Sequence, residues 1–185
     1  MAISNAFKFA NNILTNGGYD AADLVGAAGG GITEADVMRL TGSQNITSGA
    51  YTTITPFARA SEATYNKVGT GMTQSSGIFT FPTTGIYLVS LLINMSDDAD
   101  VTYTITQIQG TSDNSTYATI GESNFSIKQV SGRTYYTTNS FCFFDVQNTS
   151  NYKVRFQVYG THDFRVDGQS SFNTTSAYFL KLGET

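Results

Sequence analysis

From about Ser48 onward the sequence alternates with period two. Tyr152, Val154, Phe156 and Val158 are interleaved with Lys153, Arg155, Gln157 and Tyr159. A row of apolar side chains on every second residue is what a strand needs to bury one face and wet the other. Tyr178, Leu180 and Leu182 form a second such row, and Val101 to Gln109 alternates Thr with Val, Tyr and Ile. Two stretches are apolar almost without interruption, Ile86 to Ile93 and Phe141-Cys142-Phe143-Phe144. Their length and their flanking turn residues make them strands buried on both faces. Turn signals recur at Gly69/Gly71, Ser76-Gly77, Thr84-Gly85, Asp97-Asp98, Asp113-Asn114, Ser131-Gly132, Asn148–Asn151 and Asp167-Gly168. Strands at this spacing predict an antiparallel sandwich or jelly roll. With 2 prolines in 185 residues, strand interiors keep their backbone donors.

Residues 1–47 read differently. Ile3, Phe7, Ala10 and Leu14 fall on one helical face, which Asn16-Gly17-Gly18 ends. Ala27 to Gly31 is a flexible break. Thr33 then opens a further short helical stretch, with Glu34 and Asp36 in its first turn and Met38 and Leu40 as its apolar residues. Such pieces are too short to be stable alone and need a surface to pack on. The expected organisation is an N-terminal arm over 1–47 for attachment to a partner, and an all-β domain over 48–185. The arm's apolar residues Ile3, Phe7, Phe9, Ile13 and Leu14 would supply the buried area, about 1.5–3 kcal/mol per large side chain fully buried.

Charged residues make up 13% of the chain and aromatics another 13%, with no Trp. A low surface charge with many aromatics has two readings. Part of the surface is buried against copies of the chain, or Thr and Ser replace charges on exposed strand faces. The net charge of −4 and the lack of a Lys/Arg cluster exclude an electrostatic footprint for nucleic acid. No apolar run approaches a membrane-spanning helix. The first residues lack the pattern of a secretory signal, so synthesis and folding in a reducing cytoplasm are expected.

Chemistry-bearing residues are sparse. His162 is the single histidine, which excludes multi-histidine metal sites. His162-Asp163 lacks a nucleophile elbow and reads as a turn. Cys142, the single cysteine, sits in an apolar run with no nearby cation and reads as a small buried hydrophobe. Asp97, Asp98 and Asp100 are the densest carboxylate group, without EF-hand spacing; a solvated loop is the default and calcium the alternative. Tyr103, Tyr117, Tyr135 and Tyr136 would either stack on sugars or proteins, or pack on strand faces. Neither an enzyme nor a resident cofactor is expected.

The segment Gly77-Ile78-Phe79-Thr80-Phe81-Pro82-Thr83-Thr84-Gly85-Ile86-Tyr87-Leu88-Val89-Ser90 resembles the signature of the C1q/tumour-necrosis-factor-like family. In that family a Gly-x-Phe strand and a proline-containing turn precede Gly-x-Tyr at the start of a buried strand. Tyr65 to Val68 is similar to the short strand upstream of it. Phe172 to Leu180 is similar to the family's last strand, with Ala177 where the family has Gly. Asn148 to Phe156 departs from the pattern, having Asn-Thr-Ser-Asn in place of the usual Gly-Asp turn. The resemblance covers about residues 50–183. It implies a jelly roll that assembles as a homotrimer, with Tyr87, Tyr178, Phe179 and Leu180 near the threefold axis.

Cys-poor trimeric β domains behind a short N-terminal arm look like virion surface proteins of tailed bacteriophages, such as capsid decoration proteins, head fibres or knobs. The expected function is therefore structural, on the virion surface, with itself and a major capsid or other virion protein as partners. The alternative is a receptor- or glycan-binding trimeric module, with a host surface glycan as a further partner.

Overall fold

The computed structural model describes residues 31–185 except 61–64 and 66. The arm residues Ile3, Phe7, Phe9, Ile13 and Leu14 lie outside the described residues. Among the described residues there is no helix. The described residues of the compact unit Thr33–Thr185 form thirteen strands. They are β1 (Ala35–Leu40), β2 (Gln44–Ile46), β3 (Thr52–Thr53), β4 (Phe57–Arg59), β5 (Thr73–Ser75), β6 (Ile78–Thr80), β7 (Gly85–Asp97), β8 (Val101–Thr111), β9 (Ala118–Ile127), β10 (Thr134–Val146), β11 (Lys153–Gly160), β12 (Phe164–Val166) and β13 (Ser176–Gly183).

All pairings between these strands are antiparallel. In the first sheet the long strand β7 takes β10 along one edge. On its other edge it takes β13 and, further along, β12; β1 and β4 extend the sheet beyond β13, and β2 beyond β12. The second sheet runs β5-β6-β11-β8-β9, with β3 also on β11. Chain neighbours β7 and β8 lie in different sheets, as do β10 and β11, so the chain crosses repeatedly from one sheet to the other in the manner of a jelly roll.

The alternation explains the core. Val154, Phe156 and Val158 of β11 meet Tyr87, Val89, Leu91, Ile93 and Met95 of β7 inside the sandwich. Phe79 is the hub of an aromatic cluster, with ring centroids 5.2 Å from each of Phe57, Phe156 and Phe179. Phe81 packs against Tyr87 at 4.8 Å. The aromatic residues of the Gly77–Ser90 segment are thus core residues. Gly85, at φ +139°, has no room for a side chain, because a Cβ there would lie 2.6 Å from the Gly183 carbonyl oxygen.

Three sequence expectations change. The stretch expected as a helix from Thr33 to Leu40 contains strand β1, inserted between β13 and β4. Glu34 and Asp36 are not first-turn helix acids. Their carboxylates accept the backbone N–H groups of Thr70, Gly71 and Met72, tying the loop after Val68 to the start of β1. Residues 35–46 therefore belong to the sandwich, and the compact unit starts at Thr33.

The second change concerns β13. The row Tyr178, Leu180 and Leu182 exists, but it faces outward; Ala177 and Phe179 fill the core. Third, the two uninterrupted apolar runs are buried on one face only. In β7, residues 87, 89, 91, 93 and 95 point inward, while Ile86, Leu88 and Leu92 lie on the outside. In β10, Cys142 and Phe144 pack against the core, and Phe141 and Phe143 are 67% and 68% exposed.

Candidate self-association face

The outer face of the first sheet is built by register. Phe141 of β10 lies opposite Ser90 of β7, which lies opposite Tyr178 of β13, which lies opposite Val37 of β1. One pleat along, the row is Phe143, Leu88, Leu180 and Ala35. Directly opposed residues on adjacent strands share a face, so these two rows make one apolar field across four strands. Ile86 and Leu182 extend it toward the Gly85 end. Toward the other end the same face turns polar: Ser90 Oγ donates to Asn139 Oδ1 at 2.8 Å, and Asn94 Nδ2 donates to Thr137 Oγ1 at 2.8 Å.

A groove of about 340 Å³ runs through the field between Val37, Leu88, Tyr178 and Leu180. Tyr65 closes one side of it. Its hydroxyl donates to Asp36 Oδ1 at 2.6 Å and accepts the Val37 N–H at 2.8 Å. Burial, and next the bond to the Asp36 carboxylate, push the Tyr65 phenol up to about 12. Asp36 itself is opposed by burial, but Arg59, Tyr65 and the Met72 N–H together hold its carboxyl below the usual range. The groove wall is therefore fixed by a charge-assisted network.

Of the four residues implied at a threefold axis, the structure brings Tyr178 and Leu180 to this face. Tyr87 and Phe179 face the other way, into the protomer's own core, where the Tyr87 hydroxyl bonds with Thr83 Oγ1 at 2.8 Å. Phe141, Phe143, Leu88 and Ile86 join Tyr178 and Leu180 on this face, and none of the four is among the residues that the family resemblance implies. The signal that marks them is the uninterrupted apolar run, of which the described chain buries one face.

The remaining sequence candidates are engaged locally. Asp97 Oδ1 accepts the N–H groups of Asp98 and Ala99, Asp98 pairs with Arg133 at 2.7 Å, and Asp100 accepts the Gln129 N–H. Among the described residues no three His, Cys, Asp or Glu side chains gather to hold a metal ion. Asp163 accepts the Ser48 N–H at 2.8 Å, a bond that, ahead of the nearby His162, holds its carboxyl below the usual range. Burial pushes the Cys142 thiol up to about 11, which keeps it protonated and inert. Tyr135 is exposed on the outside of β10, whereas Tyr136 packs inward on Phe125 at 4.7 Å and burial raises its phenol.

No protein-family model matches the sequence, and no curated protein matches it. Solved structures do match the fold. A TNF protein, Eiger, from S. frugiperda superposes with a TM-score of 0.59 at 16% identity, over 84% of this chain and 96% of that one. Murine APRIL gives 0.57 at 16% identity, over 80% and 98%. The vertex protein P5 of PRD1 gives 0.50 at 13% identity, over 83% and 99%. The described chain is a TNF-like jelly roll, and at these identities the likeness is one of fold.

Proposed function

We propose that this chain is a non-enzymatic structural protein that assembles as a homotrimer through the outer face of its first sheet. One observation carries the reading: β7 and β10 have the sequence of strands covered on both sides, and each has one side open in the protomer. Phe141 and Phe143, both more than 60% exposed, with the exposed Asp145 beside them at the Gly85 end of the face, are the residues a partner would cover. The partner we infer is a second copy. Tyr178, Leu180, Leu88 and Phe143 provide the aromatic and aliphatic centre, and the Asn94, Thr137 and Asn139 end the polar rim, of a subunit contact. One repeated heterologous contact closes a ring of three.

We further propose a virion setting: a capsid decoration or head-fibre type protein on the virion surface, attached to a major capsid or other virion protein through its N-terminal arm. The sandwich's likeness in fold to a vertex protein of PRD1 supports this placement. Since the compact unit starts at Thr33, the attachment segment is assigned to the residues before it.

Two measurements test the reading. Light scattering of the purified chain should give close to three times 19.9 kDa, and a monomer at micromolar concentration would end the trimer assignment. Deleting residues 1–31 should leave the mass ratio unchanged and abolish binding to particles; a truncated protein that still decorates particles refutes the arm.

A further inference from the structure

The second sheet also has an outer face, and it is of a different kind. Tyr159 on β11 lies between two other tyrosines, with ring centroids 5.3 Å from Tyr51 and 6.5 Å from Tyr103. Tyr51 and Tyr103 are both more than 40% exposed. The rings adjoin a chain of amide and carboxylate side chains on the neighbouring strands. Gln107 Nε2 donates to the Tyr51 hydroxyl at 3.2 Å and to Glu122 Oε2 at 2.8 Å. Asn124 Nδ2 donates to Glu122 Oε1 at 2.9 Å, and Gln109 Nε2 to Gln107 Oε1 at 3.2 Å. The chain ends at Arg155, whose Nε donates to Gln109 Oε1 while its guanidinium lies 4.1 Å over the Tyr117 ring.

We propose that this face is a binding platform for neutral oligosaccharides, with Tyr51, Tyr159 and Tyr103 as the stacking surface and Glu122 with Asn124 as the hydroxyl-binding edge. A pyranose ring presents an apolar C–H face and a rim of hydroxyls. Its match is an exposed aromatic ring beside fixed donors and acceptors. Each Glu122 oxygen accepts one bond within the network and keeps a lone pair for a ligand hydroxyl. Because the amides hold one another, little side-chain freedom is lost when a ligand is added.

Charge selects the ligand class. Glu122 puts a negative charge on the platform, and Arg155, at the far end of the network, gives its Nε to Gln109 and lies over Tyr117. Sulfated or sialylated glycans and nucleic acid, which need available Lys or Arg, are disfavoured. Exposed aliphatic side chains are absent from the tyrosine row, unlike the first sheet's outer face, and this weighs against a protein partner.

The full chain is titrated calorimetrically with cellohexaose, maltohexaose, chitohexaose and a galactan hexamer, and with a heparin hexasaccharide as the anionic comparison. At least one neutral hexamer should bind in the millimolar range or tighter, and the heparin fragment should not. Tyr51→Ala and Tyr159→Ala should each weaken binding about tenfold, a typical worth for one stacked ring. Glu122→Gln, which keeps a partner for Gln107, should weaken it by about threefold without loss of fold. Tyr135→Ala, on the other sheet, should have no effect. The assignment falls if no neutral hexamer binds, if binding survives both tyrosine substitutions, or if those substitutions change the solution mass, which would make the face a protein contact. A wild-type chain that is monomeric yet binds a hexamer would sink the trimer and leave the platform standing.

Discussion

Asp36 shows how a single side chain organises one edge of the sandwich. Its carboxylate takes three bonds from Arg59, two of them from a shared Nε, and one each from the Tyr65 hydroxyl and the Met72 N–H, so the neighbouring strand β4 and the segment from Tyr65 to Met72 converge on it. Tyr65→Phe removes the donor to Asp36 and strips the Val37 N–H of its acceptor. Bonds to a charged group are worth about 1.5–3 kcal/mol, so a loss of about 2 kcal/mol in urea unfolding is expected. The pH dependence has a definite sign. The Asp36 carboxyl is held below its ordinary 3.8, so its stabilisation is present in full above that value and is lost as pH falls through the lower folded-state value. Asp36→Asn should flatten the acid limb of a stability profile below about pH 4 while lowering the plateau; an unchanged acid limb would show that other carboxylates carry it.

At the level of single elements, the turn of the β5–β6 hairpin was legible, although strand β5 itself was not. Ser76-Gly77 is a two-residue loop between Ser75 and Ile78, both loop residues have positive φ (52° and 78°), and the turn signal in the sequence needs no tertiary context. A Cβ on Gly77 would lie 2.5 Å from the Ile54 carbonyl oxygen, so Gly77→Ala should cost at least about 1–2 kcal/mol, whereas Ser76→Asn should be neutral or slightly stabilising by thermal melting. Strand β1 was only partly legible. Thr33, Glu34 and Asp36 have the charge placement of a helix start, but Asp36, Met38 and Leu40 are spaced by two, as a strand requires, and the two acids accept N–H groups of the distant Gly69–Met72 loop and not those of a helical first turn. The reversed face of β13 has a similar origin. Tyr178, Leu180 and Leu182 are the bulkier row, but the core at that point has room for Ala177 beside Leu91 and places Phe179 on the Phe79 cluster. Period two announces a strand; it does not say which face the protomer keeps for itself.

For the whole molecule, that ambiguity is the functional information. Where both faces of β7 and β10 are apolar, the fold buries one of them, and residues such as Phe143 stand out as candidate contacts only once that core has been assigned. The aromatic signature Phe79, Phe81 and Tyr87 lies in the core of the sandwich, while Phe141, Phe143, Leu88 and Leu180 form the proposed contact face. These two sets should separate experimentally. Phe141→Glu with Phe143→Glu places two charges on the open face and none in the core, so the protomer should keep its β-sheet circular dichroism while the solution mass drops to that of one chain. Each phenylalanine buried at a subunit contact contributes about 1.5–3 kcal/mol, so the pair in every copy is enough to shift assembly by several orders of magnitude in concentration. Phe79→Ala should do the opposite in kind: it should cost about 3–5 kcal/mol and unfold the protomer before any change in subunit number can be read. A double glutamate variant that unfolds, or one that remains assembled, would mean that the outer row belongs to the protomer's own stability and that the chain associates by another surface.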